Sequence, residues 1–307
     1  MRWLLLLLVG CGSAVGADEP ISQAPPGFWD HWGDGTAELA GYTLRQPRYG
    51  ELRSGEAVLI TVTEDFTKGQ RVKSDGGRGD EYPVIKLNEV RDFQTGVYDH
   101  NLMSSAFVPL DGSVPRGVAT KTSFSMQEWC GAVWEQVGFE PPMWALTGHS
   151  YFDGEGDVEL SGKLPPNALV EDAMPLLVRG VAGELLAAGD SKTVTVLESA
   201  GRRRMAHQAA PWTSGRLSRS AGHREVRVPA GSFVVEEWTL ALGPASRTWW
   251  VEVAAPHRII GWTGNDGEQA QLTGVVRAPY WNQHANRDEG LRKQLGLPTR
   301  AWPEPKP

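Results

Sequence analysis

The chain has 307 residues, of which 40% are hydrophobic, and a formal net charge of −7. This length is ample for a large hydrophobic core, and the negative charge argues against nucleic acid or an anionic membrane surface as the main ligand. Of the two cysteines, Cys11 falls within an N-terminal leader and leaves Cys130 without a partner, so a disulfide framework is excluded.

The first residues have the pattern of an export signal. Arg2 precedes an apolar run over residues 3–9, which predicts a signal peptide over residues 1–10 and is too short for a membrane span of about 20 residues. The stretch LVGC (8–11) resembles the lipobox of bacterial lipoproteins, which predicts acylation of Cys11 and a membrane anchor. We expect the outer membrane, facing the periplasm. The alternative is cleavage after Ala17, which would release a soluble periplasmic or secreted protein.

Composition divides the rest of the chain into a tether, a domain and a tail. The residues after the leader are small, polar and proline-rich, which is typical of a flexible linker, and the terminal WPEPKP cannot form a helix or strand interior. The predicted segments are a tether (11–27), a single β-rich domain (28–297) whose possible halves (28–165 and 190–280) are joined by a helix (172–182), and a loose tail (298–307).

Strand signals dominate the predicted domain. Alternating or β-branched runs are separated by clusters of Gly, Asp, Asn and Pro. A helix is predicted from Asp172 to Gly183 and another from Asp288 to Gly296. The predicted strands cover residues 57–66, 84–93, 96–110, 120–136, 192–198, 224–229, 231–242, 247–254, 258–264 and 270–276. The sequence therefore predicts a mainly β fold: a long curved antiparallel sheet, as an open half-barrel or β-roll, with one or two short helices.

Several segments resemble a widespread family of bacterial envelope proteins of unknown function. The segments are RYGE (48–51), AVLITVTEDF (57–66), FQTGVYDHNLMSSAF (93–107), QEWCG (127–131) and SYFDGEGD (150–157). Some members of that family carry the label septum formation inhibitor Maf. Maf proteins proper are nucleotide pyrophosphatases, whereas this chain has no phosphate-binding glycine loop after a strand. The resemblance implies an envelope protein and supplies no catalytic residues.

The C-terminal part is similar to the DUF3108 type of periplasmic protein. The similarity rests on VPAGSFVVEEW (228–238), TWWVEV (248–253) and PHRIIGWTGNDGEQAQLTG (256–274). It implies a long antiparallel sheet curled into an open half-barrel, as in the LolA and LolB lipoprotein carriers. This resemblance also supplies no catalytic residues.

The stretch SMQEWCG (125–131) contains the first candidate site residues. If 120–136 is one strand, alternation places Phe124, Met126, Glu128 and Cys130 on the inward face. A buried Glu128 needs a partner or a wet cavity, so we expect a salt bridge or a loop-pinning hydrogen bond, with ligand contact as the alternative. No histidine stands in a recognisable pairing with Cys130, and we expect this residue to fill the sheet rather than to act as a nucleophile.

Other polar and aromatic candidates are spread along the chain. In YDHN (98–101), alternation places Asp99 on one face and His100 on the other, a cluster that can bind a polar ligand. His149 is a further histidine that could lie near Glu128. The run RRR (202–204) predicts a turn between strands. The chain has 13 tryptophans, and their large rings fill a curved sheet or form platforms for acyl chains or sugars. The candidate platform residues are Trp129, Trp249, Trp250 and Trp262.

These patterns together predict an envelope lipoprotein that acts as a non-enzymatic binding or scaffold protein, for an apolar or lipid-like ligand in the concavity of the sheet. One alternative is an enzyme acting on an envelope substrate, with Glu128 as acid or base and His100, His149 or Cys130 nearby. A second alternative is glycan binding through exposed tryptophans. We expect membrane contact through the lipid anchor, and no cofactor, metal ion or nucleic acid. Glu128 within about 3 Å of a histidine or of Cys130 would favour the enzyme, and a salt-bridged Glu128 beside a deep apolar concavity would favour the carrier.

Overall fold

The computed structural model describes residues 20–209 and 212–299. The strands within these residues are β1 (Ile21–Gln23), β2 (Ala37–Arg48), β3 (Glu51–Thr67), β4 (Glu81–Thr95), β5 (Tyr98–Pro109), β6 (Asp111–Pro115), β7 (Lys121–Glu128), β8 (Gly131–Glu140), β9 (Met143–Ser150), β10 (Val158–Lys163), β11 (Ala168–Val170), β12 (Ser191–Leu197), β13 (Trp212–Arg219), β14 (Arg224–Val228), β15 (Gly231–Leu242), β16 (Ala245–Glu252), β17 (Ile259–Gly264) and β18 (Gln269–Ala278). The α-helices are α1 (Phe28–Trp32), α2 (Met174–Leu177), α3 (Ala200–Met205) and α4 (Gly290–Gln294).

Sixteen of these strands form one continuous sheet. Their order is β10-β9-β8-β7-β5-β4-β3-β2-β18-β17-β16-β15-β13-β12-β11, and β14 also pairs with β15. Most neighbours run antiparallel, whereas β11 and β12 are parallel. Strands β1 and β6 form a separate two-stranded sheet. The large sheet is curved and is not closed into a barrel, which confirms the predicted mainly β fold.

The curved sheet has an interior face, which packs on the hydrophobic core, and an outer face on its other side. Alternation along β4 illustrates both: Ile85 and Leu87 are buried in the core, whereas Lys86, between them in sequence, lies on the outer face. The same core includes Leu146 from β9 and Val196 from β12, which stand near opposite ends of the strand order. The sheet therefore curls around one shared core.

The segment between β11 and β12 lies in that core. A 3-10 turn over Glu171–Ala173 leads into α2, and all four α2 residues are buried. The predicted helix over 172–182 is wrong in length, because the chain turns at Gly180, where φ is 69°, shortly after α2 ends. Side chains such as Met174 and Leu176 fill the space that the curved sheet encloses.

The predicted strand over 120–136 is in fact a hairpin. Strands β7 and β8 pair antiparallel with Glu128 opposite Gly131, so Trp129 and Cys130 form the two-residue turn between them. Neither turn residue is one of the Gly, Asn or Asp residues that favour tight hairpin turns. The sequence therefore contains no local signal that separates the two strands.

The predicted tether is partly structured. Residues Ile21–Gln23 form β1 on β6, and the backbone N–H of Arg116 donates to the carbonyl of Pro20 at 2.7 Å, so flexibility is the wrong prediction for this part. The predicted signal peptide, the lipidation of Cys11 and residues 300–307 of the predicted tail lie outside the described residues. Among the residues that are described, no helix has both the length and the apolar character needed to cross a bilayer.

Residues 280–297, the C-terminal segment, cover part of the outer face. The segment contains two 3-10 turns, Tyr280–Asn282 and Asn286–Glu289, and then α4. The predicted helix from Asp288 to Gly296 is therefore in the right place, although its first turn is a 3-10 turn and α4 ends at Gln294. Gly296 follows with a φ of 69°, which suits a residue just beyond a helix.

The two ends of the strand order differ in exposure. Strand β10 at one end is short, and most of its residues are exposed, including Glu159 and Lys163. Strand β11 at the other end is fully buried. Of the two ends of the strand order, β10 therefore faces solvent; β14, which pairs with β15 alone, is also mostly exposed.

Candidate functional site

His100 and Glu128 face each other across two neighbouring strands. They are register partners in β5 and β7 on the interior face, and His100 Nδ1 lies 2.9 Å from Glu128 Oε2. His100 Nε2 lies 2.9 Å from the hydroxyl of Thr95, and Arg48 Nη2 lies 3.6 Å from Glu128 Oε2. Glu128 thus has a histidine within 3 Å, which meets the distance criterion for the enzyme, and a cationic partner, which meets one of the two criteria for the carrier.

Burial of the His100–Glu128 pair argues against catalysis. The side chain of His100 is 0% exposed and that of Glu128 is 1% exposed, and the Phe93 ring stacks on the imidazole with centroids 4.7 Å apart. Removal from water lowers the pKa of His100, although the Glu128 carboxylate opposes this effect. A general acid or base must reach the group with which it exchanges a proton. The pair therefore fits a structural role that joins β5 to β7.

The other predicted site residues do not join this pair. Cys130 is exposed in the β7–β8 turn, so the expectation that it fills the sheet is wrong, because the alternation that places Glu128 inward ends at the turn. Asp99 is exposed on the outer face of β5. His149 is also exposed, and its Nδ1 lies 2.7 Å from Asp157 Oδ1. The structure brings together His100 and Glu128 and leaves the other three candidates apart.

The four candidate tryptophans do not form a shared platform. Trp249 and Trp262 are register partners on the interior face, and both are buried. Trp250 is partly buried on the outer face beneath Arg224, whose guanidinium carbon lies 5.1 Å from the centre of the ring. Trp129, at the hairpin turn, is 70% exposed. Of these four, Trp129 alone offers a fully accessible ring.

Helix α3 carries three arginines into the interior of the sheet. These residues form a helix rather than the predicted turn, and the side chain of Arg203 is only 1% exposed. Each arginine pairs with a different glutamate: Arg202 with Glu171, Arg203 with Glu135 at 2.5 Å, and Arg204 with Glu155 at 3.1 Å. The charges on α3 are thus satisfied within the fold.

A second group of buried charges lies beside α3. Glu268 accepts from Arg247 at 2.5 Å and from Trp262 Nε1 at 2.6 Å, and Arg91 lies 3.1 Å away. Burial alone would raise the pKa of Glu268, but the charges of Arg247 and Arg91 outweigh it and lower this pKa to about 2. In the part of the chain that the structure describes, core side chains and paired charges occupy the concavity, and a cleft of about 250 Å³ lies beside Arg91, Arg247 and Glu268.

An apolar cavity of about 430 Å³ lies on the opposite, outer face, beneath the C-terminal segment. Its floor includes Leu39, Val58 and Val90 from β2, β3 and β4, and its cover includes Leu291 and Leu295. A sheet face in water ordinarily carries polar residues. The aliphatic residues here indicate that this part of the outer face is built to be covered.

Specific contacts hold the C-terminal segment over the apolar cavity. Arg292 forms an ion pair with Glu56, and the hydroxyl of Thr273 donates to the backbone carbonyl of Leu295 at 2.5 Å. Gly41 allows the close approach, because a Cβ atom at this position would collide with that same carbonyl. The cover of the apolar cavity is therefore anchored to β2, β3 and β18.

A second cavity of about 420 Å³ on the outer face adjoins the apolar one. Asp92 and Leu297 line both, and the second cavity also includes Thr43, Glu56 and Asp99. Asp99 therefore lies in a wall of this outer opening beside His100, whose side chain is 0% exposed and pairs with Glu128 on the interior face.

Sequence reasoning missed the cavities on the outer face. A signal was present in the run AVLI (57–60), because Val58 and Ile60 make β3 apolar on the face opposite to Ala57 and Leu59. A strand that is apolar on both faces is expected to be covered on both. The pattern could have predicted a cover, but not which segment provides it.

No protein-family model, curated protein or solved structure matches the chain. The resemblances to envelope and periplasmic families therefore stay predictions.

Proposed function

We propose that the protein is an exported, lipid-anchored binding protein that holds a single apolar chain in the apolar cavity beneath the C-terminal segment. The observation that carries this proposal is the aliphatic floor of a cavity of about 430 Å³, whose lining also includes the charged residues Asp92, Asp288, Glu289 and Arg292. Small-molecule sites usually measure about 300–1,000 Å³ and are mostly apolar. Each methylene group moved there from water would contribute about 0.8 kcal/mol to binding.

A binding role is preferred to an enzymatic one because of where the candidate groups lie. His100 and Glu128 are sealed from solvent, whereas Cys130, Asp99 and His149 are exposed elsewhere. Glycan binding is less favoured because, of the four candidate tryptophans, Trp129 alone is largely exposed, so these four provide no row of rings.

The proposed location rests on the leader sequence. The stretch LVGC (8–11) supports attachment to the outer membrane through Cys11, and acyl chains are the abundant apolar ligands of such a surface. Treatment of producing cells with globomycin, which blocks lipoprotein signal cleavage, should leave an unprocessed precursor. A mature protein of unchanged mass in treated cells would overturn the anchored location without affecting the proposed cavity.

The binding proposal can be tested by filling the cavity. N-phenyl-1-naphthylamine, whose fluorescence rises in apolar sites, should bind the purified full-length protein and be displaced by dodecanol. Val58→Trp places a large ring in the cavity and should abolish both effects. Val234→Trp is the matched control, because Val234 lies on β15 and is 53% exposed.

Thermal unfolding of both variants shows whether each is folded. Loss of binding in a folded Val58→Trp protein, with normal binding in the Val234→Trp protein, is the expected result. A wild-type protein that binds neither probe nor dodecanol, or a Val58→Trp protein that binds both normally, would overturn the proposed function.

A further inference from the structure

The C-terminal segment also borders a cationic opening on the outer face, which we call the lysine cavity. It measures about 380 Å³ and is lined by Lys73, Lys86 and Lys121, with Glu64 as its acidic residue. Lys86 Nζ pairs with Glu64 at 2.5 Å, so Lys73 and Lys121 supply an excess of positive charge. This local excess contrasts with the formal net charge of −7 for the whole chain.

Strand register places two of these lysines on either side of one aromatic ring. Phe107 in β5 is the register partner of Lys86 in β4 and of Lys121 in β7. Lys121 Nζ lies 5.2 Å from the centre of the Phe107 ring and 5.0 Å from that of Phe66. The ammonium group is thus held against an apolar wall, where an anion gains more from it than in open water.

The lysine cavity adjoins the apolar cavity. Tyr280 lines both. Along the outer face of β4, the lining passes from Val90 in the apolar cavity to Asn88 and Lys86 in the lysine cavity. Four residues of strand cover about 14 Å. A medium-length acyl chain with a charged end can span this distance.

We infer that the outer face binds a single-chain anionic amphiphile, with its chain in the apolar cavity and its carboxylate or phosphate head between Lys73 and Lys121. This inference rests on the proposed function, which provides the site for the chain. Ammonium groups donate charge-assisted hydrogen bonds to either kind of head. Trp281, 48% exposed at the lysine cavity, supplies an amphipathic ring at the boundary with water.

The test compares three probes that share one chain length: dodecanoate, dodecyl phosphate and dodecanol. Each is measured by displacement of N-phenyl-1-naphthylamine from the purified full-length protein. We expect both anions, or one of them, to bind about tenfold more tightly than dodecanol at low ionic strength, with a smaller advantage at high salt. Preference for one anion identifies whether the head is a carboxylate or a phosphate.

Substitution of single lysines tests where the anionic head of the amphiphile binds. Lys73→Gln and Lys121→Gln should each weaken anion binding about three- to tenfold and leave dodecanol binding unchanged. Lys73 is exposed, so its substitution is not expected to disturb the fold, whereas Lys121 also donates to the carbonyl of Arg71 and its variant needs a check of thermal stability. Lys163→Gln, on the exposed edge strand β10, is the control.

The outcomes separate the two proposals. Equal binding of dodecanol and both anions, or anion binding that Lys73→Gln leaves intact, would overturn the head site while the site for the chain stands. Failure of dodecanol to bind would overturn the chain site, and the head site with it.

Discussion

Arg203 and Glu135 form a bidentate ion pair between α3 and β8. Their oxygen–nitrogen distances are 2.5 and 3.3 Å, and the two side chains are 1% and 4% exposed. Removing one member would leave the other as a buried, uncompensated charge. The pair therefore fixes α3 in the interior of the sheet.

Arg203→Met should lower the free energy of unfolding by about 3–5 kcal/mol, because Glu135 stays buried without its partner. Adding Glu135→Leu should restore much of this loss. Arg224→Met breaks an exposed pair with Glu237 and should cost less than about 1 kcal/mol. Urea unfolding measures all three, and equal losses for the two single variants would contradict the assignment of Arg203 as an interior anchor.

His100 should make the protein less stable in mild acid. Burial holds the pKa of His100 below its ordinary value of about 6.5. As pH falls through about 6.5, this histidine takes up a proton in the unfolded chain before it does so in the folded protein. The contribution of His100 to the free energy of unfolding is therefore present above about pH 6.5. It is lost progressively as pH falls towards the lower pKa of the folded state.

Asp172 changes the stability with pH in the opposite direction to His100, so the test must separate the contributions of these two residues. Burial raises the pKa of Asp172 to about 6, so its contribution to stability is present in acid and is lost as pH rises through that value. Both the wild type and a His100→Gln variant keep Asp172. The difference between their unfolding free energies, measured between about pH 5 and 8, therefore reports His100. Parallel plots of unfolding free energy against pH would show that His100 does not titrate as expected.

Gly41→Ala should loosen the C-terminal segment. The added methyl group meets the backbone carbonyl of Leu295, and overpacking of this kind costs about 1–3 kcal/mol. We expect faster proteolytic cleavage within residues 280–297 and weaker dodecanol binding. Gly222→Ala, where a Cβ meets open space, is the control. Cleavage that is as slow as in the wild type would mean that Gly41 does not set the approach of the segment.

Cys130 should react freely in the folded protein, since it lies in an exposed turn. In a Cys11→Ser variant, which leaves Cys130 as the single thiol, Ellman's reagent should label the native protein nearly as fast as the urea-unfolded protein. Cys130→Ser should change the unfolding free energy by less than about 0.5 kcal/mol. Native labelling that is many times slower would argue against an exposed turn.

Alternation along the chain predicted many of the strands and the inward direction of Glu128, but it missed β2, β9, β10 and β13. The same pattern placed Phe124 and Met126 beside it, and both are buried. The contact with His100 depends on how β5 pairs with β7. Sequence periodicity leaves this register undetermined, because it describes one strand at a time.

Long-range pairings explain most of what the sequence could not predict. Arg203 and Glu135 are 68 residues apart, and Arg292 and Glu56 are 236 residues apart. No local pattern marks such partners. The turn at Trp129 and Cys130 also lacks the residues that usually identify a turn, so the two flanking strands were joined into one.

The exposed edge at β10 has a consequence for handling the protein. The charged side chains of Glu159 and Lys163 lie beside the unpaired backbone N–H and C=O groups at the edge of this short strand. Charges in this position discourage a strand of a second chain from pairing there. Deleting residues 158–163 would instead bare the backbone of Met143–Gly148 in β9, which now pairs with β10. Such a deletion variant should pair side by side with copies of itself and precipitate, so engineered versions of the protein need to retain β10.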